Sequence, residues 1–252
     1  MDKFLNIKKF LLDLFFPKFC LGCQKEGTYL CDDCRELLDI CEYDYCLCSA
    51  YESIPPQRLP PNSKLGKCPK CHSKNLDGLY FALAYKEKPL TKKLIRQFKY
   101  APYLKDLSAT MASILVEHFI KTGKNASSIW QNSVLIPVPA HIKKIRERGY
   151  NQSEELAKEI SKILNIPVIS DVLVKTKPTA SQAELKKEER EKNLLGAFKI
   201  NCGASETPQF SGKKVFLVDD VYTTGSTMQE CAKILKTAGA KSVWGIAIAR
   251  EE

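Results

Sequence analysis

The segment Val215-Phe216-Leu217-Val218-Asp219-Asp220-Val221-Tyr222-Thr223-Thr224-Gly225-Ser226-Thr227 constrains this chain more than any other. Its opening apolar run reads as a buried parallel strand. Adjacent carboxylates follow, then hydroxyls around a glycine, then a helical pattern. In an open α/β sheet, ligands bind beyond the carboxyl ends of the strands. A turn at Thr223–Thr227 can aim backbone N–H groups at one anion, with a helix N-terminus behind it. Carboxylates cannot serve that anion; they suit vicinal hydroxyls or the waters of a divalent ion. Phosphate, diol and divalent ion together describe a phosphorylated sugar.

The segment has neither G-x-x-x-x-G-K-[ST] nor G-x-G-x-x-G, which disfavours a P-loop NTPase and a dinucleotide fold. It resembles the signature of type I phosphoribosyltransferases, which bind phosphoribosyl pyrophosphate (PRPP). Tyr222 stands where a smaller aliphatic is usual in that broad family. The narrower ComF group, associated with DNA uptake in natural competence, takes Tyr there. The resemblance implies that Asp219 and Asp220 serve the ribose hydroxyls, directly or through Mg2+-bound water. It also implies that Val221, Tyr222, Thr223, Thr224, Gly225, Ser226 and Thr227 form the loop around the 5′-phosphate. The expected fold is α/β, a parallel sheet of type I phosphoribosyltransferase kind flanked by helices.

Length allows such a domain plus a small module, since the chain has 252 residues. The net charge of +10 favours polyanionic partners, or else a solvated lysine-rich surface. The cysteines are uneven: nine of eleven lie before residue 72. No secretory signal is recognisable; Phe4–Phe16 is interrupted by Lys8, Lys9 and Asp13 and lacks a cleavage site. It is also shorter than the ~20 apolar residues of a membrane span. A cytoplasmic location follows as an expectation, and clustered cysteines there point to metal. Residues 1–17 are read as an amphipathic helix through Phe4, Ile7, Leu11, Leu14 and Phe15.

Residues 18–76 form a cysteine-rich module. Cys20/Cys23, Cys31/Cys34 and Cys68/Cys71 are C-x-x-C knuckles, and Cys46/Cys48 is a C-x-C pair. A tight turn presents a pair of thiolates to one Zn2+, which takes four ligands in a tetrahedron. The simplest pairing joins the first knuckles in one site and the last pairs in a second, with Cys41 left over as a substitute ligand; His72, the neighbour of a ligand cysteine, is disfavoured as one. The loop before Cys68 holds Pro55-Pro56 and Pro60-Pro61 and reads as extended. So small a module depends on its metal, and stripping Zn2+ is expected to unfold the first ~75 residues. The arrangement resembles the double zinc ribbon that precedes the transferase domain in ComF-like proteins.

Residues 77–252 read as the transferase-like domain. Leu79–Tyr85 is a strand, and Pro89–Tyr100 a helix with Lys92, Lys93, Arg96 and Lys99 on a basic face. Leu104–Lys121 is an amphipathic helix on which His118 reads as a surface or core-edge residue. Val134–Pro139 is a strand ended by prolines. Arg146-Glu147-Arg148-Gly149-Tyr150-Asn151-Gln152 follows, with Asn151 as cap and Leu156, Ala157, Ile160, Ile163 and Leu164 as a buried stripe. Arg146 and Arg148 thus sit before a helix N-terminus at a strand's end, where guanidinium groups suit phosphate oxygens. R-x-R-G-[aromatic]-N-Q resembles a ComF string, which places both arginines near pyrophosphate. Lys175–Ala197 is charged with little sheet character. By the same resemblance it corresponds to a mobile loop with Thr179, Gln182, Arg190 and Asn193, Arg190 reaching the ligand; it also reads as a plain surface helix. Met228–Ala238 is a helix with Gly239 suited to its C-cap, and Ser242–Ala249 a strand, completing a parallel βαβ unit.

Several functions stay open on these residues: a PRPP/Mg2+-dependent transferase on an unknown acceptor, a non-catalytic PRPP sensor, a binder of single-stranded DNA, or a C-x-x-C redox protein. The ComF resemblance implies DNA uptake, single-stranded DNA as partner and partners in the competence machinery. Tyr43, Tyr45 and Tyr51 offer rings for stacking bases, or for packing.

Overall fold

The structure, a computed structural model, describes residues 15, 17–41, 47, 75–85, 88–101, 104–123, 127–177, 196–201 and 208–251. Cys46, Cys48, Cys68, Cys71, Tyr43, Tyr45, Tyr51, Arg190 and nearly all of the expected N-terminal helix lie outside them.

A four-stranded parallel sheet carries the fold. Its strands are β1 (Gly78–Ala84), β2 (Ser133–Pro137), β5 (Lys214–Tyr222) and β6 (Ser242–Arg250), in the order β1-β6-β5-β2. Alternation along β5 explains why both faces are covered. Phe216 and Val218 enter one apolar cluster, Val215 and Leu217 the other. The first face is packed by α2 (Pro89–Lys99), α3 (Leu107–Lys121) and α6 (Gln152–Leu164), through residues such as Phe98, Met111 and Leu156. The second is packed by α7 (Ser226–Thr237), through Met228, Cys231 and Leu235. Cys231 is fully buried there, as expected of a small apolar residue, and burial raises its thiol's pKa.

The ends of α7 follow from local chemistry. Ala238 is the C-cap and Gly239, at φ +98°, lies just beyond it. The Ala240 N–H bonds to the Leu235 carbonyl at 3.0 Å and the Gly239 N–H to that of Lys236 at 3.1 Å, a Schellman closure. The turn delivers the chain into β6, beside β5.

A short helix α1 (Asp32–Glu36), N-capped by Cys31, carries Cys34 of the second cysteine knuckle, and α4 (Ser127–Trp130) precedes β2. The cysteine module joins the sheet rather than standing apart. Ile40 bridges Leu83 on β1, and the Cys41 N–H donates to the Ala82 carbonyl at 2.8 Å. Arg35 on α1 reaches α3, donating to Glu117 at 2.8 Å and to Ser113 at 2.9 Å. At the module's exit, Gln229 Oε1 accepts from the N–H groups of Asn75 (2.6 Å) and Leu76 (3.1 Å).

Three local expectations are corrected. His118 is buried, 1% exposed, with Nδ1 2.6 Å from the Cys41 carbonyl, so that nitrogen carries the proton. Ile163 is half exposed and does not join the buried stripe of α6. Asn151 occupies the N-cap position of α6, but its side chain donates instead to the Val138 carbonyl at 3.1 Å. The charged stretch after residue 175 also begins and ends in sheet. Strands β3 (Leu173–Lys175) and β4 (Phe198–Ile200) pair antiparallel, with Lys175 opposite Phe198.

Candidate sugar-phosphate site and metal centre

β5 carries the diacid inside its last stretch of pairing rather than after it, since Val221 and Tyr222 still pair with β6. Asp219 Oδ1 accepts from the Asp220 N–H and the Ser153 hydroxyl, each at 2.9 Å. Asp220, only 6% exposed, accepts at Oδ1 from the Val221 N–H at 2.8 Å and from Lys99 Nζ at 3.2 Å. Burial pushes the Asp219 carboxyl up to about 7, and the neighbouring Asp220 charge adds to it. Lys99 and the donors to Asp219 oppose that rise. Lys99 shows the complement: burial works against its charge, but Asp220 and Asp219 outweigh burial and raise its pKa.

The turn after the diacid is shaped for an anion. Gly225 takes the left-handed conformation (φ 75°, ψ −1°) and is the N-cap of α7, whose first turn carries no acid. The hydroxyls of Thr224 and Ser226 lie 2.9 Å apart, and Thr223 and Thr227 face the cleft. Backbone N–H groups at a helix start, without a competing carboxylate, favour a bound anion. Tyr222 does not line the cleft. Its buried ring supports the turn from below, where a Cβ on Gly225 would overlap the phenol. The buried guanidinium of Arg250 lies 5.5 Å from the centroids of both Tyr222 and Phe81.

The cleft is about 570 Å3 in volume, and Arg96, Lys99, Lys144, Arg148 and Lys175 line it together with Asp219 and Asp220. Burial, then Arg148 and Lys99, lower the pKa of Lys144; burial, then Lys144, lower that of Lys175. Cations so crowded are relieved by a bound polyanion.

The arginine string forms a short helix, α5 (Ile142–Arg148), closed by Gly149 at φ 83°. His141 is its N-cap and lines the cleft. Arg148 lines the cleft and donates to Gln152 Oε1 at 2.7 Å, whereas Arg146 is exposed and is not among the lining residues. The remainder of the string works through its contacts. The Tyr150 hydroxyl and Gln152 Nε2 both reach the Phe98 carbonyl at 3.4 Å, and Ser153 holds Asp219.

Sequence reasoning singled out neither Lys144, Lys175 nor Ser153. The pair Lys143-Lys144 was a visible basic signal, but only the β3–β4 pairing brings Lys175 to the cleft.

A second constellation lies in the cysteine module. The Sγ atoms of Cys20, Cys23, Cys31 and Cys34 all lie within 4.8 Å of one another. Gly22 is required between the first two, because a Cβ there would overlap Cys34 Sγ. At Cys20 burial raises the thiol pKa, but the N–H groups of Cys31, Cys23 and Gly22 outweigh it and lower the value to about 6. Cys34 is pushed up to about 12 by burial and by the neighbouring thiols. Four converging sulfurs, three of them buried, fit a closed Zn2+ site of structural type.

Residues 150–250 match the family model described as phosphoribosyl transferase domain. Competence protein F of Haemophilus influenzae is 34% identical over 156 residues, spanning 61% of this chain and 66% of that protein. The DNA utilization protein YhgH of Escherichia coli K12 is 29% identical over 220 residues, 85% of this chain and 93% of the relative. Among solved structures, a hypoxanthine phosphoribosyltransferase from Staphylococcus aureus aligns with a TM-score of 0.36 and 11% identity, over 58% of this chain and 64% of its own. With the transferase domain, these relatives and the N-terminal cysteine cluster, the chain belongs to the ComF family.

Proposed function

We propose that this chain binds PRPP with Mg2+ in the cleft beyond β5, and that it serves DNA uptake by handling single-stranded DNA in the cytoplasm. One observation carries the first part: an anion-shaped turn, a diacid and five basic side chains share one cleft at the carboxyl end of a parallel sheet. In this reading Thr223–Thr227 holds the 5′-phosphate and Asp219 and Asp220 the ribose hydroxyls. Lys144, Arg148 and Lys175 face the pyrophosphate, and Arg190 joins them on ligand binding. Mg2+ bound with the ligand neutralises pyrophosphate charge. Equilibrium dialysis with labelled PRPP tests this: saturable binding that Mg2+ strengthens supports it, and no binding at millimolar PRPP overturns it.

The DNA role rests on the likeness to a competence protein and a DNA utilization protein, and on the exposed face of Lys92, Lys93 and Arg96 on α2. Partners within the competence machinery belong to the same proposal. Zn2+ on Cys20, Cys23, Cys31 and Cys34 would fix the module, with Cys46, Cys48, Cys68 and Cys71 as ligands of a second ion. Among the described residues, no helix is long and apolar enough to cross a membrane.

A second reading, transfer of the phosphoribosyl group to an acceptor, is favoured by one feature. Tyr85, Ile95, Tyr100 and Val221 give the same cleft an apolar wall beside the diacid. Such a wall suits an acceptor and excludes water from a cationic sugar centre. Pyrophosphate release across a panel of acceptors tests it; binding without release leaves a PRPP sensor.

A further inference from the structure

Lys99 is not an ordinary surface lysine. It is the last residue of α2, a helix anchored by the buried Leu94, Ile95 and Phe98. The carbonyls just behind its side chain are held from α6 and the residues before it. The Phe98 carbonyl accepts from the Tyr150 hydroxyl and Gln152 Nε2, and the Lys99 carbonyl from Gln152 Nε2, all at 3.4 Å. Gln152 is itself oriented by Arg148, at 2.7 Å. The ammonium is thereby placed 3.2 Å from Asp220 Oδ1, and that carboxylate is almost entirely buried.

A divalent ion approaching the diacid meets a cation already there. Like charges within a few ångströms repel strongly in a partly buried site. A protonated amine also supplies what a ribose diol between carboxylates lacks, a positive charge and further donors. Resting on the PRPP reading, we infer that Lys99 is the resident cation of the Asp219–Asp220 pair. The ribose 5-phosphate half of the ligand is therefore held without a divalent ion at the diacid, and the Mg2+ requirement belongs to the pyrophosphate. Tyr150 and Gln152 then have a defined task, positioning Lys99. The raised pKa of Lys99 agrees with a permanently charged ammonium.

The test is calorimetry with ribose 5-phosphate, which lacks the pyrophosphate, in chelator-free buffer without Mg2+ and in the same buffer with Mg2+, so that the cysteine site keeps its Zn2+. Wild type is expected to bind with the same affinity in both. Lys99→Met should weaken binding about tenfold without Mg2+, the scale of one lost charge-assisted bond, and recover it in Mg2+ as the freed diacid takes up the ion. Lys99→Gln, which keeps a donor but not the charge, should behave like Lys99→Met and guards against a folding defect in either variant. Wild-type binding that collapses without Mg2+ overturns the inference. So does an equal loss in both buffers for the variants, which would mark a merely structural lysine. A wild type that binds PRPP but no ribose 5-phosphate overturns it too. No binding of either ligand overturns the PRPP reading itself.

Discussion

The phenol of Tyr222 occupies the space a side chain on Gly225 would need. The turn that follows the diacid is thus fixed twice, by this contact and by the left-handed φ of 75° at Gly225. Gly225→Ala is expected to cost about 1 kcal/mol through the backbone alone, and more through the overlap. Phosphate affinity should fall further than stability does. Thermal unfolding and ribose 5-phosphate binding, measured side by side, check this. An alanine variant that binds normally would remove the turn from the site.

Asp219 gives the protein a pH signature. Its carboxyl is raised by burial and by Asp220 to about 7, against an unfolded value of about 4. Between those values the folded protein holds a proton that the unfolded chain has released. This group's contribution is therefore full below pH ~4 and lost as pH rises through ~7. Urea unfolding of wild type and Asp219→Asn from pH 4 to 8 isolates it. Wild type should lose stability relative to the variant across that window. A constant difference would contradict the assignment.

Metal loss should be felt beyond the cysteine module. Cys20, Cys31 and Cys34 share one apolar cluster with Leu94, Ile95 and Phe98 of α2. Structural Zn2+ contributes an apparent ~10–16 kcal/mol in small finger peptides. Chelation is expected to reduce hydrogen-exchange protection in residues 17–41 and also in α2. Unchanged protection in both segments would show that the sulfur cluster is not a metal site on which this fold depends.

The basic face of α2 makes a quantitative prediction for DNA. Lys92, Lys93 and Arg96 are all exposed. If they meet phosphates of a single strand, replacing all three by Ala should lower the log–log salt slope by about 2, at ~0.7 per contact. Filter binding between 50 and 200 mM salt reads this. A weakened affinity with an unchanged slope would place the contacts elsewhere.

The sequence disclosed what is written locally. The strand, diacid, turn and helix of Val215–Thr227 follow one another without a break, so pattern alone located the cleft's floor. Its walls are set by tertiary contacts. His118 lies one turn from Leu115 and read as an edge residue, because its partner, the carbonyl of Cys41, is 77 residues away. The arginine string drew attention for its charge, yet Tyr150, Gln152 and Ser153 make the contacts that organise α2 and the diacid. Asn151 looked like a cap, but the Val138 carbonyl at the end of β2 takes its donor. Lys175 reaches the cleft only through the β3–β4 pairing, for which three-residue strands give too short a pattern.

Titration calorimetry of PRPP with Mg2+, on wild type and on the Asp219→Asn/Asp220→Asn double variant, decides whether the end of β5 is a sugar-phosphate site. The account predicts Mg2+-dependent binding by wild type and its loss in a double variant that still unfolds cooperatively. Equal binding by both proteins, or none by wild type, would contradict a sugar-phosphate site at the end of β5.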